Sequence, residues 1–536
     1  MKLNFGRTMR QLAQRFSGKE ALVNFERNRR YDYASLHTLT NRIANAMRDQ
    51  LQIGNGDVFL LVLDNDNMSL MQFPTLFKQR GTAAMGNLRD SAFEHRWQAE
   101  LIQPKAVFLE TRLLGTHAAM FRELGCTVVV MDPPSVEDRD RFPDVISFWD
   151  IVDAASDAES TTELDIDSDI VMLRFTGGTT GRSKCAMYTV ANWFAGRDSV
   201  FENPGLDFDE ETRTLHVAPL SHGTQLFFYP TFYCGGTNVT VNIPDVEEFR
   251  RVIEAEKISH SFLVPTALYR LLELQRAAPL QLGSLRTLIY GAAPMSPSKL
   301  TGLIECFGPI FAQAYAATEV PIVIATLDKL AHGITNEAAL ARLASTGNVT
   351  PGVEVFITDE RGEPVADGET GEIRIRSRGV IAGYYGNPES TAAEFVDGAW
   401  RSGDLGYIDE KGFLFIVDRL KDMIITGGFN VYAAEVEAAL ATHPAVLNSA
   451  VVGLPDIDWG EAVHAEVQLR QGAEAEAEAL VQHVKAALGS YKAPKSLVFT
   501  DALPLSAAGK VLRREVRARA MTSGKAARSD MAGSIS

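Results

Sequence analysis

Short β-branched runs return at wide intervals through the first half of the chain, and this rhythm restricts the possible folds more than any other feature. They are VFLLVLD (58–64), KAVFLE (105–110), TVVVMD (127–132), TLHVAPL (214–220), TNVTV (237–241), HSFLV (260–264) and RTLIYG (286–291). Stretches of helical period, VEEFRRVIEAEK (246–257) and TALYRLLELQRA (266–277), separate several of them. Strands alternating with helices specify an α/β body of mostly parallel sheets flanked by helices. From about Gly352 the texture changes to VEVFITDERGEPV, GEIRIRS and GFLFIVD, which predicts a small antiparallel, β-barrel-like part. After Arg419 come a helical segment (433–443), strands at 448–455 and 462–470, and a second helical segment (474–488), the pattern of a separate αβ domain. The expected division is a large body over 1–418, a small domain over 419–521 and a flexible tail over 522–536, where no hydrophobic period remains.

Composition narrows the function. Of 536 residues, 52 are Lys or Arg and 68 are Asp or Glu, a formal charge of −16 that argues against gripping nucleic acid. Cys126, Cys185, Cys234 and Cys306 lie far apart with no CxxC pair, which argues against a disulfide framework or zinc site and for a reducing, cytoplasmic setting. No apolar run approaches the ~18 residues of a membrane span. The first 19 residues carry Lys2, Arg7, Arg10, Arg15 and Lys19 without an acid. A transit peptide can look like this, but Leu12 and Phe16, four apart, suit a basic first helix anchored in a core.

The segment VMLRFTGGTTGRSKCAMYT (171–189) carries the first chemical signal. A strand runs into Thr176, Gly177, Gly178, Thr179, Thr180 and Gly181, with Lys184 closing the loop, and so many glycines and hydroxyls can aim N–H and O–H groups at phosphate. The spacing is wrong for a P-loop, because Arg182 and Ser183 stand between Gly181 and Lys184. A flexible surface loop is the bland alternative.

This segment resembles the phosphate loop of the adenylate-forming enzymes, which include acyl-CoA and aryl-CoA synthetases, luciferases and peptide-synthetase adenylation domains. Gly177 stands where that family usually has Ser, and Ser183 where it has Pro. GAAPM (291–295) resembles the family's adenine-side loop, which assigns Gly291, Ala292, Ala293 and Pro294 to the nucleotide. YAATE (315–319) is similar to its Tyr-Gly-x-Thr-Glu, with Ala316 in place of Gly. The resemblance implies Tyr315 against adenine, Thr318 on phosphate and Glu319 as the Mg²⁺ ligand. WRSGDLGYID (400–409) places Asp404, after a Gly turn, on the ribose. DRLKDMIITGGFNVYAAEVE (418–437) resembles the family's hinge, with Arg419 also near ribose, Lys421 as the pivot, and Gly427 and Gly428 approaching the thiol channel after rotation of the mobile C-terminal domain. LPLSAAGKVLRREVR (503–517) resembles the family's Gly-Lys segment and makes Lys510 the catalytic lysine of the first half-reaction.

The implied activity is a carboxylate–CoA ligase using ATP, Mg²⁺ and coenzyme A and releasing AMP and pyrophosphate, with a hydrophobic fatty, alicyclic or aromatic acid as substrate. His222, in PLSHGTQLFFYP (219–230), reads either as a group beside the acyl pocket and thiol tunnel or as a core histidine. Two other readings are an adenylating enzyme that passes acyl-AMP to a carrier thiol or another acceptor, and a nucleotide-binding relative without chemistry. Lys184, Glu319, Asp404, Lys421 and Lys510 together speak against the last. The expected assembly is a monomer or homodimer.

Overall fold

The computed structural model describes residues 1–536 except 73–74, 177–182, 243–245, 278–281, 458, 507–508 and 533–536, and for 246–247 and 523–532 the backbone alone. Among the described residues the body carries two large sheets. A seven-stranded sheet is built around Val58–Val62, with Thr82–Met85 on one side and Ala106–Leu109, Thr127–Val130 and Ile146–Ser147 on the other. These strands are parallel, and Ile170–Phe175 extends the set before Cys185–Thr189 reverses beside it as an antiparallel edge. The central strands are buried on both faces, so they read as continuous apolar runs rather than alternating ones.

The second sheet sets Arg213–His216, Thr237–Thr240, His260–Leu263, Thr287–Gly291 and Phe311–Tyr315 in parallel. The expected helices are present as Val246–Glu256 and Pro265–Ala277. The antiparallel part is not a separate appendage. Ala325–Leu327 reverses beside Phe311–Tyr315, Gly347–Val349 pairs with it, and Phe413–Arg419, Ala399–Ile408, Gly371–Arg376 and Glu354–Thr358 follow in one fourteen-stranded sheet. Pairing in this way covers an edge that the parallel sheet would otherwise leave open.

Helix Phe5–Arg15 is capped by the Asn4 side chain, which accepts the Arg7 N–H at 2.8 Å. It seats Phe5, Met9 and Ala13 in the core at four-residue spacing, with Phe16 buried just beyond. The basic start of the chain is therefore a core helix, and Leu12 packs at its margin.

Beyond Asp418 lies a sheet of its own, in which Val446–Asp456 and Gly460–Leu469 form a long antiparallel pair backed by helices Ala433–Ala441 and Ala477–Leu488. Val436, Leu440, Val451, Val467 and Leu480 make its core. The last helix, Arg513–Ala532, continues past Thr522 into the stretch expected to fray. Ala, Arg, Lys and Met there have high helix propensity, which needs no hydrophobic stripe. No helix among the described residues is long and apolar enough to cross a membrane, and all four cysteines are free.

Candidate active site

Three strand ends meet at one cleft. Thr287–Gly291 and Phe311–Tyr315 run parallel with Gly291 opposite Ala314, while Ile170–Phe175 of the other sheet leads into Thr176. Parallel α/β sheets leave their ligand crevices at such C-terminal ends. Gly291 is required by close approach, since a Cβ there would lie 2.3 Å from the Ala314 carbonyl oxygen. Ala292 follows with φ 68°, and buried Met295 anchors the loop that leaves Ala292 and Pro294 exposed and Ala293 half-buried.

Thr176 and Lys184 close the base of the Gly-rich hairpin. The Thr176 N–H donates to the Lys184 carbonyl oxygen at 2.8 Å, and the Lys184 N–H donates to Thr176 Oγ1 at 3.1 Å. Gly177, Gly178, Thr179, Thr180 and Gly181 lie outside the described residues. The Lys184 ammonium pairs with Glu394 and stands 4.9 Å from the centroid of the Tyr384 ring. The Tyr384 hydroxyl lies 2.9 Å from Glu319 Oε1 and 2.6 Å from Glu394 Oε2. Burial holds the Glu319 carboxyl above the usual carboxylate range. Lys184 answers Glu394, whereas Glu319 has the shared phenol and no ion pair among the described residues, so Glu319 is the carboxylate open to an added cation. Mg²⁺ typically takes one or two carboxylates together with substrate phosphates, and Glu319 fits that demand.

Asp404, only 3% exposed, sits inside strand Ala399–Ile408 rather than after a free turn. Gly403 bends the strand with φ 66°. The Ser402 hydroxyl donates to the Ile373 carbonyl oxygen at 2.6 Å and accepts the Asp404 N–H at 3.0 Å, so serine supplies the hydroxyl at this position. Tyr315 donates its hydroxyl proton to Asp404 Oδ2 at 2.6 Å, and Arg419 Nε approaches Oδ1 at 2.7 Å. Just past Arg419, the Leu420 N–H donates to the Gly403 carbonyl oxygen and the Asp422 N–H to the Arg419 carbonyl oxygen, which puts Lys421 in the turn joining body and small domain. Burial, and then Arg419, lower the Lys421 ammonium pKa.

The small domain delivers Lys510 to this cleft. Its loop is pinned by the Ser506 N–H donating to the Lys510 carbonyl oxygen (2.7 Å) and by the Lys510 N–H donating to Ser506 Oγ (3.1 Å). Gly509 adopts φ 80° and lies against the body, where Thr266 Oγ1 donates to its carbonyl oxygen at 3.2 Å. The Lys510 side chain reaches solvent yet lies among charged groups of the body. That crowding pushes its pKa down to about 8, with Arg419 lowering it further and Asp404 and Glu319 opposing. His222 faces the same space. Burial, followed by Arg174, pushes the imidazole down to about 4, and Lys510 contributes, so His222 is a neutral cleft residue at neutral pH.

Gly427 and Gly428 are not gathered here. They turn the hairpin between Ile424–Thr426 and Phe429–Val431 with φ 57° and 80°, and a Cβ at Gly427 would lie 2.8 Å from the Trp459 ring. Sequence reasoning missed Tyr384, Glu394, Arg174 and Tyr188, whose hydroxyl donates to the Thr318 carbonyl oxygen at 2.8 Å. Nothing local marks them. Tyr384→Phe leaves Glu319 without its phenolic donor and is expected to lower adenylate formation roughly tenfold, chiefly through a higher KM for Mg·ATP; unchanged kinetics would remove this support role.

A parallel body, a cleft at its strand ends and a lysine brought in by a second domain define an adenylate-forming enzyme. The chain belongs to the AMP-binding enzyme family, matching it over residues 9–385 and matching the AMP-binding enzyme C-terminal domain over residues 435–510. It is 37% identical to the medium/long-chain-fatty-acid–CoA ligase FadD8 of Mycobacterium tuberculosis across 76% of this chain and 75% of that one. It is 38% identical to a feruloyl-CoA synthase of an Amycolatopsis species across 69% of this chain and 73% of the relative. O-succinylbenzoate coenzyme A synthetase of Bacillus subtilis, solved with ATP and a magnesium ion, superposes with a TM-score of 0.81 at 26% identity, covering 96% of this chain and 99% of that one.

Proposed function

We propose that the protein is an ATP- and Mg²⁺-dependent carboxylate–CoA ligase acting on a hydrophobic fatty, alicyclic or aromatic acid. The observation that carries this reading is Lys510, docked through Gly509 on Thr266 of the body and within electrostatic reach of Glu319 and the Asp404–Arg419 pair. A carboxylate oxygen attacks the α-phosphorus of ATP, the P–O bond of a carboxylic–phosphoric anhydride forms, and pyrophosphate leaves with the bridging electron pair. Lys510 offers a cation to two anions that must approach each other. Mg²⁺, when bound at Glu319, supplies charge neutralisation on the phosphates.

Asp404 and Arg419 suit the ribose, and the loop 291–294 together with Tyr315 suits the adenine. Phe227, Phe262, Ile289, Ala314 and Val323 form an apolar cluster behind Gly223, which supports a hydrophobic acyl group. For the second half-reaction the small domain turns about Lys421, withdraws Lys510 and presents the Gly427–Gly428 hairpin. Ile425 and Phe429 on that hairpin are 52% and 58% exposed, with Trp459 beside them at 44%. An apolar patch of this kind suits a face that docks elsewhere. The thiol sulfur then attacks the acyl carbon, a C–S bond forms, and AMP departs.

With dodecanoate or ferulate as the acid, AMP release is expected to depend on acid and ATP and to accelerate on adding CoA. ADP and orthophosphate as products would contradict the chemistry, and acyl-AMP that forms but never reacts with CoA would point to a carrier thiol instead. The free thiols and the absence of a membrane-length apolar helix among the described residues suit a cytoplasmic enzyme.

A further inference from the structure

Arg174 lies in strand Ile170–Phe175, fixed between Met85 and Ala186 of its neighbours, and is 8% exposed. A guanidinium this deeply buried is ordinarily matched by a carboxylate. Here Nε donates to the Ser221 carbonyl oxygen at 3.0 Å, and Nη2 has no hydrogen-bond partner among the described residues. The Tyr188 phenol, which also hydrogen-bonds it, the His222 imidazole and the Lys510 ammonium feel its charge, and none of them is an anion at neutral pH. The nearby cleft carboxylates have other partners: Asp404 holds Tyr315 and Arg419, and Glu319 holds Tyr384. A buried positive charge with one unpaired donor therefore stands at Ser221, next to His222, within electrostatic reach of Lys510.

We infer that Arg174 is a catalytic residue that receives the reacting carboxylate of the acid and stays with that group through both half-reactions. This rests on the ligase reading. One carboxylate oxygen forms the bond to the α-phosphorus, and the other, held by Arg174, becomes the carbonyl oxygen of the acyl-adenylate. When the thiol sulfur attacks the acyl carbon and its proton passes to solvent, that same oxygen takes the negative charge, then returns its electron pair as the C–O bond to AMP breaks and the C–S bond remains. Lys510 travels with the small domain and is withdrawn before this step. Arg174 belongs to a body strand and does not move.

Arg174→Met and Arg174→Lys in the full chain test this, with dodecanoate and ferulate as probes. Acid-dependent pyrophosphate release and CoA thioester formation from preformed acyl-AMP are measured separately, alongside thermal melting. Arg174→Met is expected to lose on the order of 10²-fold in kcat/KM for the acid, with the KM for ATP unchanged, and a similar factor in thioester formation. Its melting temperature should equal or exceed that of the wild type, because an unpaired buried charge is a cost to folding. Arg174→Lys should recover part of both activities. Full activity in either half-reaction, or a fall in melting temperature that tracks the activity loss and is shared by Arg174→Lys, would overturn the inference. Wild-type protein that releases no acid-dependent pyrophosphate with either probe would instead remove the ligase reading and the inference with it.

Discussion

Lys510→Ala is expected to suppress adenylate formation by about 10²- to 10³-fold, the scale of deleting one preorganised electrostatic donor, while leaving thioester formation from preformed acyl-AMP within about threefold of wild type. The asymmetry follows from where the lysine resides. Its loop belongs to the small domain and touches the body through Gly509 and Thr266, so in the proposed rotation the cation leaves with that domain. Pyrophosphate release and thioester synthesis assayed separately would decide it, and equal loss in both steps would remove the assigned role. A pH dependence follows as well. Crowding by the surrounding protein, around a side chain that still reaches solvent, lowers the Lys510 ammonium to about 8, and the charged form is the useful one. Adenylation kcat/KM, which reports free-enzyme groups, should therefore fall as pH rises through about 8, and this basic limb should vanish in Lys510→Ala.

Lys421→Pro is expected to have the opposite signature. Proline fixes φ near −65°, so position 421 could not supply the torsion change that the proposed rotation asks of it. Thioester formation should fall about 10²-fold or more, while adenylation stays within about fivefold. The docked arrangement has its own ties that such a variant retains. Arg470 pairs with Glu273 of the body, and Lys299 donates to the Val446 carbonyl oxygen at 2.9 Å. At the base of the small domain, Arg513 reaches Asp422 at 3.2 Å and Glu437 at 2.7 Å. Loss of adenylation equal to the loss of thioester formation would show that position 421 supports the fold rather than the rotation.

Much of this arrangement was legible in the chain itself. Apolar runs such as VFLLVLD and RTLIYG sit in parallel strands because a strand covered on both faces has no polar side to alternate with. The Gly-rich segment, GAAPM and YAATE could be found because each is a strand followed at once by residues chosen for backbone approach or phosphate chemistry, and such information is local. The antiparallel region was readable as strands but not as a continuation of the second sheet, since pairing Ala325–Leu327 with Phe311–Tyr315 is a contact between segments whose patterns do not name each other.

Tyr384 illustrates what no pattern could supply. It lies sixty-five residues beyond Glu319, yet its hydroxyl links that carboxylate to Glu394 and thereby to Lys184. Arg174 is the sharper case, an ordinary arginine between apolar neighbours whose lack of a carboxylate partner is a property of its surroundings. Sequence alone determined the succession of strands and helices along the chain, the residue types at the strand ends and the lysine near the C-terminus, because short-range sterics and periodicity fix these. Only the tertiary structure decided which charges face one another across the cleft and which remain unanswered, because burial and electrostatic partnership depend on distances between segments far apart in the chain.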